Sequence, residues 1–151
     1  MIDVSSQSLT REEICSLLSS SDSAALVRVI DSLIKSEMIS DFQLIRPPST
    51  GTVQLQIREP ICEERFIVGD ALVTVADVSV RGSLGWAMRL GSDTHATVAA
   101  AIADAYIALV GLENVPAMKD LLLQTKDDIA ARETSEWAEI SETVIDFEEL
   151  D

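Results

Sequence analysis

Residues 65–105, RFIVGDALVTVADVSVRGSLGWAMRLGSDTHATVAAAIADA, decide the fold. Two periodicities meet in this stretch. Val73 and Val75 share one phase of a two-residue alternation, and Val78 and Val80 share the other. One extra residue near Ala76-Asp77 restores the pattern, which predicts a β-bulge there. Arg81-Gly82-Ser83 is a tight hairpin turn. Beyond it Leu84, Trp86, Met88 and Leu90 alternate with Gly85, Ala87 and Arg89, and the small residues of that second set admit close approach by another element. The period then lengthens. Asp93 is a suitable N-cap, and Val98, Ala101, Ile102, Ala105 and Leu109 recur at helical spacing up to Gly111.

Upstream, Thr10 and Glu13 have the spacing of a capping box, and Ile14, Leu17 and Leu18 fall on one helical face. Asp22 or Ser23 caps a second helix, whose stripe runs through Ala25, Leu26, Val29, Ile30, Leu33 and Ile34. Phe42-Gln43-Leu44-Ile45 reads as a strand stopped by Pro47-Pro48. Val53, Leu55 and Ile57 alternate with Gln54, Gln56 and Arg58 in another, and Phe66 to Val68 form a further short one before Gly69-Asp70. Downstream, Pro116 starts a helix carrying Leu121, Leu122, Ile129, Trp137 and Ile140, with a break expected near Thr134-Ser135. The expected architecture is α+β: an N-terminal helical hairpin, an antiparallel meander of about four to five strands, and helices packed on one face.

The chain has 151 residues, 47% of them apolar, which fits a single domain spanning 1–151 with 113–151 as an acidic helical extension. Its net charge is −15, and residues 113–151 hold 12 acidic side chains against 3 basic ones. Such a balance argues against nucleic acid or an anionic membrane as partner. Trp137, Ile140, Ile145, Phe147 and Leu150 within the acidic extension suit partner docking. Cys15 and Cys62 lie far apart without a CxxC spacing, so reduced thiols are expected rather than a zinc knuckle or redox pair. Residues 1–10 have neither the basic nor the apolar region of a secretory signal, and no apolar run reaches membrane-spanning length; a soluble, cytoplasmic protein is expected.

The candidates for chemistry are few. His95 falls in the first turn of a helix, where a neutral imidazole beside unpaired backbone N–H groups could help hold an anion; the plainer reading is an exposed capping residue. No second histidine or paired cysteine supplies a metal site. Arg46, Arg58, Arg65 and Arg89 lie in or beside the strands, suited either to bidentate phosphate contact or to pairing with the chain's own carboxylates. Glu63, Glu64, Asp70 and Asp77 have no spacing that pairs them as acid and base, and read as a solvated face. A glycine-rich phosphate loop and a nucleophile elbow are both absent.

Five ordered pieces carry a family resemblance: Arg46 followed by Thr50-Gly51 through Arg58; Glu64-Arg65-Phe66 through Gly69-Asp70; Gly85-Trp86 through Gly91; Ser92-Asp93; and His95-Ala96 through Ala103-Asp104-Ala105. Together, over residues 10–110, the chain resembles the PhnG family, the G subunit of the bacterial carbon–phosphorus lyase system. It departs from the family pattern at Ser49, Ser92 and Thr97, and residues 145–148 only echo the family's C-terminal run. The resemblance implies a subunit of α-D-ribose 1-methylphosphonate 5-triphosphate synthase. That assembly joins a phosphonate to ribose C1 of ATP and releases adenine. The implied partners are subunits of the H, I, J and L types, with the chemistry in the I and J subunits. ATP is then a substrate of the assembly, with no cofactor or metal held by this chain and no activity of the chain alone. No catalytic residue carries over; Arg46, Gln54, Gln56, Arg65, Asp70, Trp86, Arg89, Asp93 and His95 are the candidate functional or interface residues. A homodimer or hetero-oligomer is expected. The alternatives are a stand-alone small-anion binder using Arg46, Arg65, Arg89 and His95, or a non-catalytic homodimeric structural module.

Overall fold

A computed structural model describes residues 9–141; Ile145, Phe147 and Leu150 lie outside the described residues. The element order is α1 (Arg11–Ser20), α2 (Ser23–Lys35), β1 (Phe42–Arg58), β2 (Arg65–Val80), β3 (Ser83–Leu90), α3 (Thr94–Val110), a short 3-10 turn (Leu112–Asn114) and α4 (Pro116–Ser141). The class is α+β, as expected.

The helix starts follow from local chemistry. Thr10 and Glu13 form the full capping box, with the Thr10 amide donating to Glu13 Oε2 at 2.7 Å. Asp22 accepts from the Ala25 amide and Asp93 from the Ala96 amide. Each satisfies an N–H that the helix itself leaves orphaned. Gly111 closes α3 at φ 85°. Helix α4 runs unbroken through Thr134-Ser135, contrary to expectation: the Thr134 hydroxyl donates back to the Ala130 carbonyl, so it stays within the helix rather than competing with it.

Among the described residues the sheet has three antiparallel strands in the order β1-β2-β3, slightly fewer than the four to five expected. Pro47-Pro48 and Gly69-Asp70 read as stops, yet the ladder passes both. Prolines are tolerated because β1 is an edge strand whose outer N–H groups need no partner. The register slips at Leu44/Arg46, Arg46/Ser49 and Leu55/Gln56 absorb the irregularities as bulges. The expected bulge at Ala76-Asp77 is not on β2. Thr74, Ala76, Val78 and Val80 alternate there without interruption, and the extra residue lies opposite, on β1 between Leu44 and Arg46. Arg81 (φ 46°) and Gly82 (φ 85°) make the two-residue hairpin into β3, both in the left-handed region that a type I′ turn demands.

The core lies between the sheet and the helices. Helix α3 is buried on nearly all sides from Ala96 to Ile107 and rests on β2 and β3. Leu109, expected in its buried stripe, is exposed, and Val110 beside it packs against the core instead. Gly85 makes this packing possible: a Cβ there would lie 2.6 Å from the Ala105 Cβ and 2.5 Å from its backbone nitrogen. Helices α1 and α2 pack against α3, and Met118, Leu121 and Leu122 of α4 complete the core.

Strand β3 ends at Leu90, but β1 and β2 continue. Residues 51–58 paired with 65–72 form a two-stranded arm, about 25 Å long at the usual rise per residue, with a mostly exposed backbone on both faces. The free edge of β3 is capped by side chains instead. Arg11 donates to the Leu84 carbonyl at 3.0 Å, and the Trp86 amide donates to Asp104 Oδ2 at 3.0 Å.

Candidate functional site

The residues picked out from sequence sort into three places. Arg89 and Asp93 meet at the corner between α1 and α2. The Arg89 side chain is only 7% exposed and donates to the carbonyls of Leu18 and Ser21 and, at 3.2 Å, to the Ser23 hydroxyl. It thereby satisfies carbonyls that α1 leaves unpaired at its C-terminus. Burial pushes its pKa down, and Asp93 and Asp22 oppose that shift. Asp93 is held below the usual carboxylate range, first by the Ala96 amide and then by the Ser23 hydroxyl and the Arg89 charge. His95 is exposed one turn away, and its side chain makes no hydrogen bond or ion pair with the others among the described residues.

Arg46, Gln54, Gln56, Arg65 and Asp70 lie along the long ribbon, all exposed. Arg46 forms an ion pair with Asp77, directly across the ladder. Gln54 faces Asp70, and Arg65 faces Arg58. The four arginines therefore do not gather at one point: Arg89 is buried among carbonyls, Arg46 is paired with Asp77, and Arg58 and Arg65 face each other at the far end of the arm, with Arg58 4.0 Å from Glu63.

Trp86 leads to a cluster that sequence reading missed. Asp104 is buried on α3 and accepts from Arg11 Nε at 3.1 Å, from an Arg11 terminal nitrogen at 2.8 Å, from the Trp86 amide and from the Cys15 thiol at 3.4 Å. One carboxylate thus joins α1, α3 and β3. Burial, followed by the Asp104 charge, pushes the Cys15 thiol up, so it is neutral at physiological pH. In the sequence Asp104 stands out only as part of the family resemblance and not as a site residue, since its partners stand 18, 89 and 93 positions away.

The third place is a whole face. Thr74, Ala76, Val78, Val80, Gly85, Ala87 and Arg89 turn toward the helices. Alternation places Val73, Val75, Leu84, Trp86, Met88 and Leu90 on the opposite side. Much of that side is open among the described residues: Leu84 is 63% exposed, Trp86 45% and Leu90 78%, whereas Val73 is buried and Val75 and Met88 are half-buried. The register carries the same face onto the arm through Val53, Leu55, Ile57 and Phe66. The Arg46–Asp77 pair is the charged interruption on the body of this face. An apolar surface of this extent in so acidic a chain marks an interaction site.

The family model for the phosphonate metabolism protein PhnG matches residues 9–150, nearly the whole chain. The chain belongs to the PhnG family. Membership ties it to phosphonate metabolism and to the carbon–phosphorus lyase complex, and implies that it works among partner subunits. On this PhnG chain, the pieces that carried the resemblance fall on β1 and the arm, on β3, and along α3 as far as Ala105. Several of them have structural duties: Gly85 admits α3, Arg89 caps α1 and Asp93 caps α3. Trp86, Gln54 and Gln56 point to solvent and remain open for contact. The sequence did offer the signal for the exposed face. Large apolar residues alternate with Gly85, Ala87 and Arg89, and only the small set could admit a helix.

Proposed function

We propose that this PhnG-family chain is an accessory subunit of the machinery that joins a phosphonate to ribose C1 of ATP with release of adenine. It contributes an interface rather than a reaction. The observation that carries this reading is the apolar outer face of the sheet, which runs across three strands and onto the arm. Its composition, rich in exposed Leu, Ile, Trp and Phe with little charge, suits an obligate contact with a non-identical subunit. The arginines support the same view, because none of Arg46, Arg65 and Arg89 joins another in a cradle for a phosphate.

Co-expression with H- and I-type subunits followed by size-exclusion chromatography tests the reading. A heteromeric peak containing this chain is expected, and Trp86→Glu should remove the chain from it. The purified chain should release no adenine from ATP in the presence of methylphosphonate. Failure to associate, or adenine release by the chain alone, would overturn the proposal.

A further inference from the structure

We propose that the arm forms a homodimer, the outer edge of β1 over residues 52–58 pairing antiparallel with the same edge of a second copy. Four observations converge on it. First, the arm is two-stranded and exposed on both faces, and a ribbon of two strands is marginal in water without a third. Second, β1 is the outer strand of the sheet, so one row of its N–H and C=O groups has no strand beside it among the described residues.

Third, the sequence here is self-complementary. Thr52-Val53-Gln54-Leu55-Gln56-Ile57-Arg58 has an alternation symmetric about Leu55. A two-fold axis at Leu55 sets Val53 opposite Ile57 of the copy and Leu55 opposite itself, all on the apolar face. Gln54 then faces Gln56 of the copy on the other side, amide to amide. Pro48 and Pro60 bracket the stretch and limit pairing to it. The bulge beside Leu55/Gln56 puts its extra residue on β2, so the outer edge of β1 stays regular.

Fourth, the local charge permits the second copy that the symmetric alternation selects. Two chains at −15 repel, and 25% of residues are charged, yet residues 47–57 contain no charged side chain at all. This uncharged strand lets a strongly acidic chain approach itself. Pairing merges two arms into a four-stranded ribbon with one continuous apolar face. The inference stands apart from the accessory-subunit reading, which rests on the apolar face of the sheet and not on the edge of β1.

Sedimentation velocity of the full chain across the micromolar range tests it. The expected mass is twice 16.4 kDa. Gln54→Glu with Gln56→Glu places like charges opposite each other across the axis and should weaken the dimer at least about tenfold, as should Gln54→Lys with Gln56→Lys. Mixing the two variants should restore a dimer, one of each kind. Both positions are exposed, so unchanged circular dichroism is expected. A wild-type monomer throughout the range, a dimer indifferent to the charges, or variants that do not associate when mixed would each overturn the proposal. A monomer that still co-elutes with H- and I-type subunits refutes this inference alone. A dimer that does not co-elute with them refutes only the accessory reading.

Discussion

Replacing Gly85 by alanine tests the packing on which the whole layer arrangement depends. The added Cβ would lie 2.5 Å from the Ala105 nitrogen and 2.6 Å from its Cβ, and closer still to the Ala101 carbonyl oxygen. All three belong to α3 backbone or to its first side-chain atom, so no flexible group can swing away. Ordinary contact begins at 3.4 Å, so helix and strand must separate by more than 1 Å at this point. Such a gap forfeits a quarter to a half of the local dispersion energy along the contact. The expected loss is about 3 kcal/mol, the upper end for overpacking. For a chain of this size that lowers Tm by roughly 6–12 °C. Urea unfolding followed by circular dichroism measures it. Gly51→Ala is the control: it has no neighbour within 4 Å and no positive φ, so it should be neutral or stabilising. The sign decides. If Gly85 served only backbone freedom in a strand, alanine would stabilise the protein, and a Gly85→Ala variant as stable as wild type would refute the packing argument.

Asp104→Ala should destabilise by about 2–3 kcal/mol, because it strands the part-buried Trp86 amide and removes the counter-charge of Arg11; wild-type stability in denaturant unfolding would contradict the assigned geometry. Arg89→Lys should lose about 2 kcal/mol despite keeping the charge, since one ammonium cannot reach both the Leu18 and Ser21 carbonyls as the planar guanidinium does; a lysine variant with wild-type stability would argue against the capping role. Glu13 and Asp93 are both held below their ordinary values of 4.5 and 3.8 by hydrogen bonds from helix-start groups, so their contribution is present above those values and is lost as pH falls through the lower folded ones. Acid titration of wild type and Asp93→Asn should show the variant losing less stability below pH ~4, and parallel acid curves would disprove the linkage.

Local features were legible in the sequence, and long-range ones were not. The caps at Thr10, Asp22 and Asp93 and the turn at Arg81-Gly82 depend on neighbours within three or four residues, so spacing alone reveals them. The strand count failed because Pro47-Pro48 and Gly69-Asp70 are breakers only where both edges of a strand are in use, and edge position is a property of the sheet. Arg89 shows the same limit. Its alternation with Gly85 and Ala87 placed it on the close-packed side, but its charge read as a partner for phosphate or for the chain's own carboxylates. Its carbonyl partners lie 71 and 68 positions away, where no window of sequence can show them. The family resemblance, by contrast, was legible across residues 10–110, and the family match extends to 150.

The two side chains that cap the free edge of β3 carry a further consequence. A sheet that can add a strand on either side can grow without end, each copy templating the next into a filament. Here Arg11 and Asp104 occupy the Leu84 carbonyl and Trp86 amide on one margin, while the prolines of β1 interrupt much of the other. On the body of the sheet little free margin remains, so strand addition is confined to the arm, where residues 52–58 of β1 carry the self-complementary alternation and residues 65–71 of β2 do not. Asp104→Ala would then do more than loosen the core: it would open the β3 margin as a further place for strand addition.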